Sequence, residues 1–479
     1  MVLAKTRFNR LLFLSQRSPF TTTSTMTIAT VTAHFATRVL PAHDVELTFS
    51  STLDDGTFSA TGSDTQWIAE CCKELRRNRC VGLPTETVYG LAANALDAEA
   101  VSAIYAAKAR PSDNPLIVHV SSMRMLRALY YLSPASSGAT PPFLGTANAG
   151  PEGAGAGLAE PVAVASAMAD AEARDREQGG DGVWPEIPRA YHAVIRRFWP
   201  GPLTLVLPRP ACVPLAVLGG HGDTVAFRFP AHPVARAAIS ACGLPLAAPS
   251  ANASGRPSPT AAAHVMHDLS GRLPLIVDAG ACDVGVESTV LDAYSATAHV
   301  DGELAPCILR PGGVTYEDLR ALGGVWQRLR VYRRDFTSAA LELAPTTPGM
   351  KYRHYAPTAP VHVFVPGPQS ETISTRMQAQ IDALALKGVR KVGVVAVAVA
   401  AAAGDDVPAP AFVAPAGCEL TVHCVGGARE LAHSIFALLR ELDEVEHVEA
   451  ILVQGVVDAN EGLAVMNRLT KAASHHVLC

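Results

Sequence analysis

Short apolar runs alternate with helix-period stripes along most of the chain, the pattern of an α/β fold. Val81 to Pro84 reads as the end of a short apolar strand, and Thr85 to Thr87 as a polar corner. From Asp97, a helix-capping residue, apolar positions recur at Val101, Ile104 and Tyr105, which predicts a helix. Lys108 takes the next place on that stripe, where a core side chain is expected, and Arg110 follows at the helix end before Pro111. Leu116 to Val120 (LIVHV) reads as a strand. Leu244 to Ser250 (LPLAAPS) reads as another, leading through the loop SGRPSPT into a helix that opens at Ser258-Pro259-Thr260. Further on, Thr315 to Asp318 is a capping box with a structural role. Beyond Pro360 the same alternation continues: Val361 to Val365 and Val392 to Val399 read as strands, and Glu430 to Glu441 as an amphipathic helix. Ala450 to Val456 reads as a strand and Leu463 to Ala473 as a helix, giving a second, small α/β domain with a parallel sheet.

Length and composition narrow the class. The 479 residues exceed the roughly 250–300 at which a single core stops growing, so more than one domain is expected, and 49% hydrophobic residues suit sizeable cores. A formal net charge of −5 argues against a general nucleic-acid or membrane-surface binder, though not against a local basic cavity. The 10 cysteines show no CxxC pair and no zinc-site spacing, so reduced thiols are the expectation. Up to His43 the chain carries Lys5, Arg7, Arg10, Arg17 and Arg38 with many Ser and Thr and no acid, a transit-peptide composition. Met26 offers an internal start, so a mitochondrial and a cytosolic product are expected, against the plainer reading of a disordered tail. Leu11 to Leu14 and Val392 to Ala403 are both too short to span a bilayer.

The expected organisation is a flexible leader over residues 1–62, a catalytic domain over 63–335, a linker over 336–360 and a C-terminal domain over 361–479. Residues 133–182 form an Ala/Gly/Pro/Ser-rich insert whose Gly153, Gly155 and Gly157 mimic a nucleotide fingerprint without a preceding strand. The linker is unusual for a spacer, because Lys351, Tyr352, Arg353, His354 and Tyr355 stand together between Pro348 and Pro357.

Two readings are open for the polar positions. Lys108 and Arg110 either complement the negative helix end or converge on an anion; Ser250, Asn252 and Ser258 either shape a turn and cap a helix or build an anion site at its N-terminus. His119 fits a satisfied strand histidine, Thr87 a turn former, and Arg228 an ion-pair partner of Glu86 or Glu287. No Walker A, GxSxG or HExxH motif occurs.

Taken together, PTETVYGL, the pair Lys108-x-Arg110 followed by PSDNP, Ser250-x-Asn252 with SGRPSPT, WPGPLTLVL, TVAFRFP, GVESTVLD, ILRPGG and PGMKYRHYAP resemble, in order, the YrdC/Sua5 family of threonylcarbamoyl-AMP synthases. The resemblance implies a twisted mixed sheet with a central cavity and a small Rossmann-like C-terminal domain. The implied reaction joins L-threonine, bicarbonate or CO2, and ATP into L-threonylcarbamoyl-AMP and pyrophosphate. The implied destination is adenosine 37 of ANN-decoding tRNAs, reached through a separate transferase complex, without strong nucleic-acid binding by this chain. Carried onto this sequence, the catalytic positions are Lys108 and Arg110, and the nucleotide contacts are these two with Asn114, Thr224, Ser250, Asn252, Ser258, Arg310 and Tyr355. The threonine contacts are Thr87, His119, Arg228, Ala248 and Ser288. Magnesium is expected to travel with ATP, with Glu86 and Asp113 as the nearest carboxylates. Tyr355 matches a family position that reaches ATP, so the linker reads as a lid. The other readings open are a carbamoyltransferase component and a noncatalytic RNA-binding module.

Overall fold

The apolar runs of the first domain are short and nearly unbroken, as strands covered on both faces require, and they assemble into one mixed sheet. The computed structural model describes residues 34–50, 57–132, 184, 186–343, 345–347, 354–367, 372–398 and 410–479. Across the 11-stranded sheet the order is Arg38–Pro41, Leu275–Asp278, Val81–Leu83, Gly90–Asn94, Leu246–Ala247, Ile117–His119, Thr224–Arg228, Leu203–Pro208, Thr289–Asp292, Cys307–Arg310 and Arg330–Val331. Parallel and antiparallel pairs alternate irregularly, so side chains from distant parts of the sequence meet at the sheet centre. The expected helix runs Ala98–Lys108; Asp97 caps it by accepting from the amides of Glu99 and Ala100, and Val101, Ile104, Tyr105 and Lys108 are all buried.

Three features differ from the sequence reading. The ordered fold begins before residue 63: Arg38–Pro41 is an edge strand parallel to Leu275–Asp278, and Arg38, counted among the leader cations, donates to Glu70 at 2.8 Å. The transit-like residues 1–33 and the insert lie outside the described residues, as do Lys351, Tyr352 and Arg353. The strand expected over Leu244–Ser250 shrinks to Leu246–Ala247, because Pro245 and Pro249 lack the N–H that a ladder needs. The helix expected at Ser258 opens at Ala262 instead, after Pro257 and Pro259 have kept the chain out of the helix.

In the C-terminal domain the five strands are all parallel, in the order Glu419–Val425, Lys391–Val397, Ala450–Gln454, Val361–Val365 and His475–Leu478. Helices Ala428–Arg440 and Glu461–Ala472 follow the predicted stripes; helix Ile373–Leu386 and the two edge strands were not anticipated. Val399 lies outside the described residues.

The two domains meet through buried charge. Arg440 donates to the Asp268 carboxylate at 2.8 Å and to the Pro257 carbonyl at 2.6 Å, and Arg468 donates to Glu287 at 2.9 Å; each guanidinium side chain is 1% exposed. Backbones also touch: a Cβ on Gly285 would lie 1.9 Å from the His433 carbonyl oxygen, and Gly285 has φ +77°, so only glycine fits there. Among the described residues, no helix is long and apolar enough to cross a membrane, and all ten cysteines are free thiols.

Candidate active site

Where the strand ends Leu83, His119, Arg228 and Ala247 converge, a cavity opens whose space, including its mouth, is about 700 Å³. Its first wall is built on the Lys108 helix end. The backbone N–H groups of Tyr89, Leu91 and Ala251 donate to the carbonyls of Pro259, Pro249 and Tyr89, each at 2.8 Å, which lays the Pro249–Asn252 turn beside the Gly90 strand and over Lys108. The Lys108 ammonium donates to the carbonyls of Ser250 and Asn252, and to Asn252 Oδ1 at 3.4 Å. All three N–H donors thus meet neutral oxygens. Burial, reinforced by Arg110, holds the Lys108 pKa well below the ordinary lysine value. Ser250 Oγ donates to Asn252 Oδ1 at 2.5 Å, while the Asn252 amide donates to the carbonyls of Ala253 at 2.8 Å and Arg256 at 2.9 Å, fixing the turn.

Arg110 stands beyond the helix cap, Ala109, whose left-handed φ of 50° turns the chain toward the cavity. Among the described residues its guanidinium donates to the carbonyls of Asn114 at 3.5 Å and Pro115 at 3.2 Å, and burial lowers its pKa to about 10. Arg310 donates to the Ser288 carbonyl at 2.9 Å and to Ser288 Oγ at 3.2 Å. These two cations, like Lys108, are bonded to neutral acceptors.

The opposite wall is charge-balanced. Arg228 donates from Nη2 to Glu86 at 2.7 Å and from Nη1 to Thr87 Oγ1 at 2.8 Å, within a pair almost sealed from solvent. Although desolvation opposes it, Arg228 holds the Glu86 carboxyl below the ordinary range. The structural reading of Arg228 as a Glu86 partner is therefore realised, and Arg228 also faces the cavity. His119 shares a hydrogen bond with the Ile117 carbonyl at 3.2 Å; burial and Arg228 push its pKa down to about 3, so the ring is neutral. Ser288 Oγ shares a 2.7 Å hydrogen bond with Thr204.

Ten of the fourteen positions carried over from the resemblance line this one cavity: Lys108, Arg110, Ser250, Asn252, Arg310 and Tyr355 of the nucleotide set, and His119, Arg228, Ala248 and Ser288 of the threonine set. Thr87 lies one hydrogen bond behind, through Arg228. Asn114 contributes its carbonyl to Arg110 and to Tyr105, and its side chain is buried outside the lining. Thr224 opens the strand that Arg228 closes and does not line the cavity. Ser258, expected at a helix N-terminus, donates instead to Glu287 at 2.7 Å, so the anion site expected from that helix end does not form.

This arrangement has counterparts in known proteins. The family described as "Telomere recombination" (Sua5, YciO and YrdC) matches residues 73–139 and 173–312, and the family described as "Threonylcarbamoyl-AMP synthase, C-terminal domain" matches residues 314–474. A threonylcarbamoyl-AMP synthase of Schizosaccharomyces pombe is 38% identical over 455 residues, covering 93% of this chain and 97% of that one. The chain belongs to the Sua5/YrdC family. A threonylcarbamoyl-AMP synthase of Bacillus subtilis is 37% identical over 412 residues, 86% of this chain and 94% of its own. The crystal structure of Pyrococcus abyssi Sua5 complexed with L-threonine superposes with a TM-score of 0.65 at 32% identity, covering 92% of this chain and 99% of that one. A two-domain Sua5 architecture, with its mixed sheet and parallel C-terminal sheet, is thus shared along nearly the whole chain.

Two residues that reach the site's surroundings escaped the sequence reading. Arg440 and Arg468 sit on the apolar stripes of their helices, Arg440 four residues after Phe436 and Arg468 four after Ala464. That is the signal by which Lys108 was singled out, and it marks both as buried cations needing partners.

Proposed function

We propose that this chain forms L-threonylcarbamoyl-AMP and pyrophosphate from L-threonine, bicarbonate or CO2, and ATP. The observation that carries the reading is the division of one cavity into a wall of cations on neutral acceptors and a wall of balanced polar groups. A triphosphate belongs on the first and a zwitterionic amino acid on the second. The threonine amine, once deprotonated, adds to CO2 and loses a proton to give a carbamate. One carbamate oxygen then forms the bond to the α-phosphorus of ATP, and the bond from that phosphorus to the bridging oxygen breaks, releasing pyrophosphate. Lys108, Arg110 and Arg310 neutralise charge that grows on the phosphoryl oxygens, which is the dominant contribution such a transfer asks of a protein.

Magnesium is proposed to arrive on the triphosphate. Glu287, which lines the cavity, is already held by Arg468; of the two carboxylates expected near the metal, neither Glu86, held by Arg228, nor Asp113 is in the lining, so no protein carboxylate is assigned to it. Tyr355 supports the lid reading: it lines the cavity, its ring centroid lies 5.1 Å from that of Phe436, and Ala356 donates to the Gly255 carbonyl at 2.9 Å. The lid shields the mixed anhydride from water. Delivery to tRNA adenosine 37 through a separate transferase complex, and a second, mitochondrial product made from the leader, complete the proposal.

The test is pyrophosphate release from ATP by the full chain, with each co-substrate omitted in turn. Release that requires both threonine and bicarbonate is the expected result; release indifferent to threonine would refute the reading.

A further inference from the structure

We propose that Arg468, supplied by the C-terminal domain, is a positioning residue for the nucleotide wall of the cavity, which it sets by bridging Glu287 to the carbonyl of Pro311. The inference rests on the function proposed above.

The geometry carries it. Ser288 and Arg310 form the pair that aims the Arg310 guanidinium along the cavity, with Arg310 donating to Ser288 at its carbonyl and its hydroxyl. Arg468 grips the residue on the outer side of each: Nε donates to Oε2 of Glu287, just before Ser288, at 2.9 Å, and Nη1 donates to the carbonyl of Pro311, just after Arg310. One rigid fork therefore sets the spacing of the two strand ends that hold Arg310. The other Glu287 oxygen accepts from Ser258 Oγ at 2.7 Å, which ties the chain leading out of the Ser250–Asn252 turn to the same carboxylate. Arg468 also lies 5.9 Å from the centroid of the Tyr355 ring, the lid residue. Three parts of the nucleotide wall, namely Arg310, the loop after Asn252, and Tyr355, thus converge on a guanidinium from outside the catalytic domain.

Glu287 is well placed for this relay. Its carboxylate is buried, yet against that desolvation Arg468, Arg310 and Ser258 hold its pKa at about 2, so it is ionised at every working pH. Without Arg468 the buried Glu287 carboxylate would keep Arg310 as its main counter-charge and draw more of that cation's field away from the cavity. Arg440, equally buried in the same interface, instead holds Asp268 and Glu444, a docking contact.

The experiment uses the full chain and four variants: Arg468→Met, Arg468→Lys, Glu287→Gln and the Met/Gln double variant. Pyrophosphate release is read for KM of ATP, KM of threonine and kcat, with thermal melting beside it. Arg468→Met is expected to raise KM for ATP about tenfold or more and KM for threonine by clearly less, because the relay reaches the threonine set only through Ser288. Arg468→Lys, which keeps the charge and one of the two bonds, is expected to fall between. The double variant is expected to be no worse than the worse single one, because both substitutions break one relay. Equal rises in both KM values, or single effects that multiply in the double variant, would overturn the proposal. If Arg468→Met does not fold, Arg468→Lys and Glu287→Gln carry the same ATP-against-threonine comparison. Calorimetric ATP binding to the wild-type chain and to Arg468→Lys separates the two claims: ATP-affinity loss without threonine-dependent turnover in the wild type would sink the synthase reading and leave Arg468 standing.

Discussion

The two walls of the cavity both carry buried cations, and they differ in what answers them. Lys108, Arg110 and Arg310 donate to carbonyls and hydroxyls, with Asp268, Asp113 and Glu287 acting on them through space; Arg228 donates directly to a carboxylate. Burial makes cations without a hydrogen-bonded carboxylate costly in the free protein, and a bound polyanion would relieve that cost. The balanced wall offers a dipolar ligand hydrogen bonds without a net field. On the proposed function, selectivity for a nucleotide on one side and an amino acid on the other would follow from the acceptors around the cations, more than from the number of cations.

The largest expected effect breaks the first wall. Lys108→Ala should lower kcat/KM for ATP by roughly 10²-fold or more, the scale of losing one preorganised charge contact in the transition state. Because Lys108 also ties down the Ser250–Asn252 turn, Lys108→Met, which keeps the stem, should recover packing without recovering rate; melting curves beside the kinetics check this. Arg228→Met should break the second wall, raising KM for threonine by about tenfold to 10²-fold with ATP affinity nearly unchanged. The same variant leaves Glu86 buried without its partner, so a fall in melting temperature should accompany it.

A smaller effect sharpens the comparison through protons. The pKa of Lys108 is depressed by burial in the free chain and is expected to recover when phosphate oxygens approach. Where the pH lies above the free-chain pKa, ATP binding should take up protons, which titration calorimetry in buffers of different ionisation enthalpy measures; threonine binding should show no such uptake at Lys108. Acid should act most weakly, and at the domain junction. The Glu287 pKa of about 2 in the folded chain lies below its ordinary 4.5. Its contribution to stability is therefore complete above about pH 4.5 and is lost as pH falls toward 2. Thermal melting of Glu287→Gln should lack that share of the acid dependence.

The Lys108 helix was legible because a capped apolar stripe and a lysine placed on it are local signals, and the structure buries that lysine as the stripe requires. Ser258 shows where local reasoning fails. A serine before proline reads as a helix start, yet two prolines delay the helix and the hydroxyl finds Glu287, a partner 29 residues away. The interface arginines carry the same stripe signal and still escaped the sequence reading; Asp268 and Glu287 belong to the other domain, and no periodicity names a partner at that distance. Arg38 was read with the leader because composition does not register the strand Leu275–Asp278 it pairs with.

The most direct test is a crosswise binding measurement: ATP alone and L-threonine alone, titrated by calorimetry into the wild-type chain, Lys108→Met and Arg228→Met. The two-wall account predicts that Lys108→Met loses ATP and keeps threonine, and that Arg228→Met does the reverse. Folded variants that lose both ligands to the same extent would contradict it.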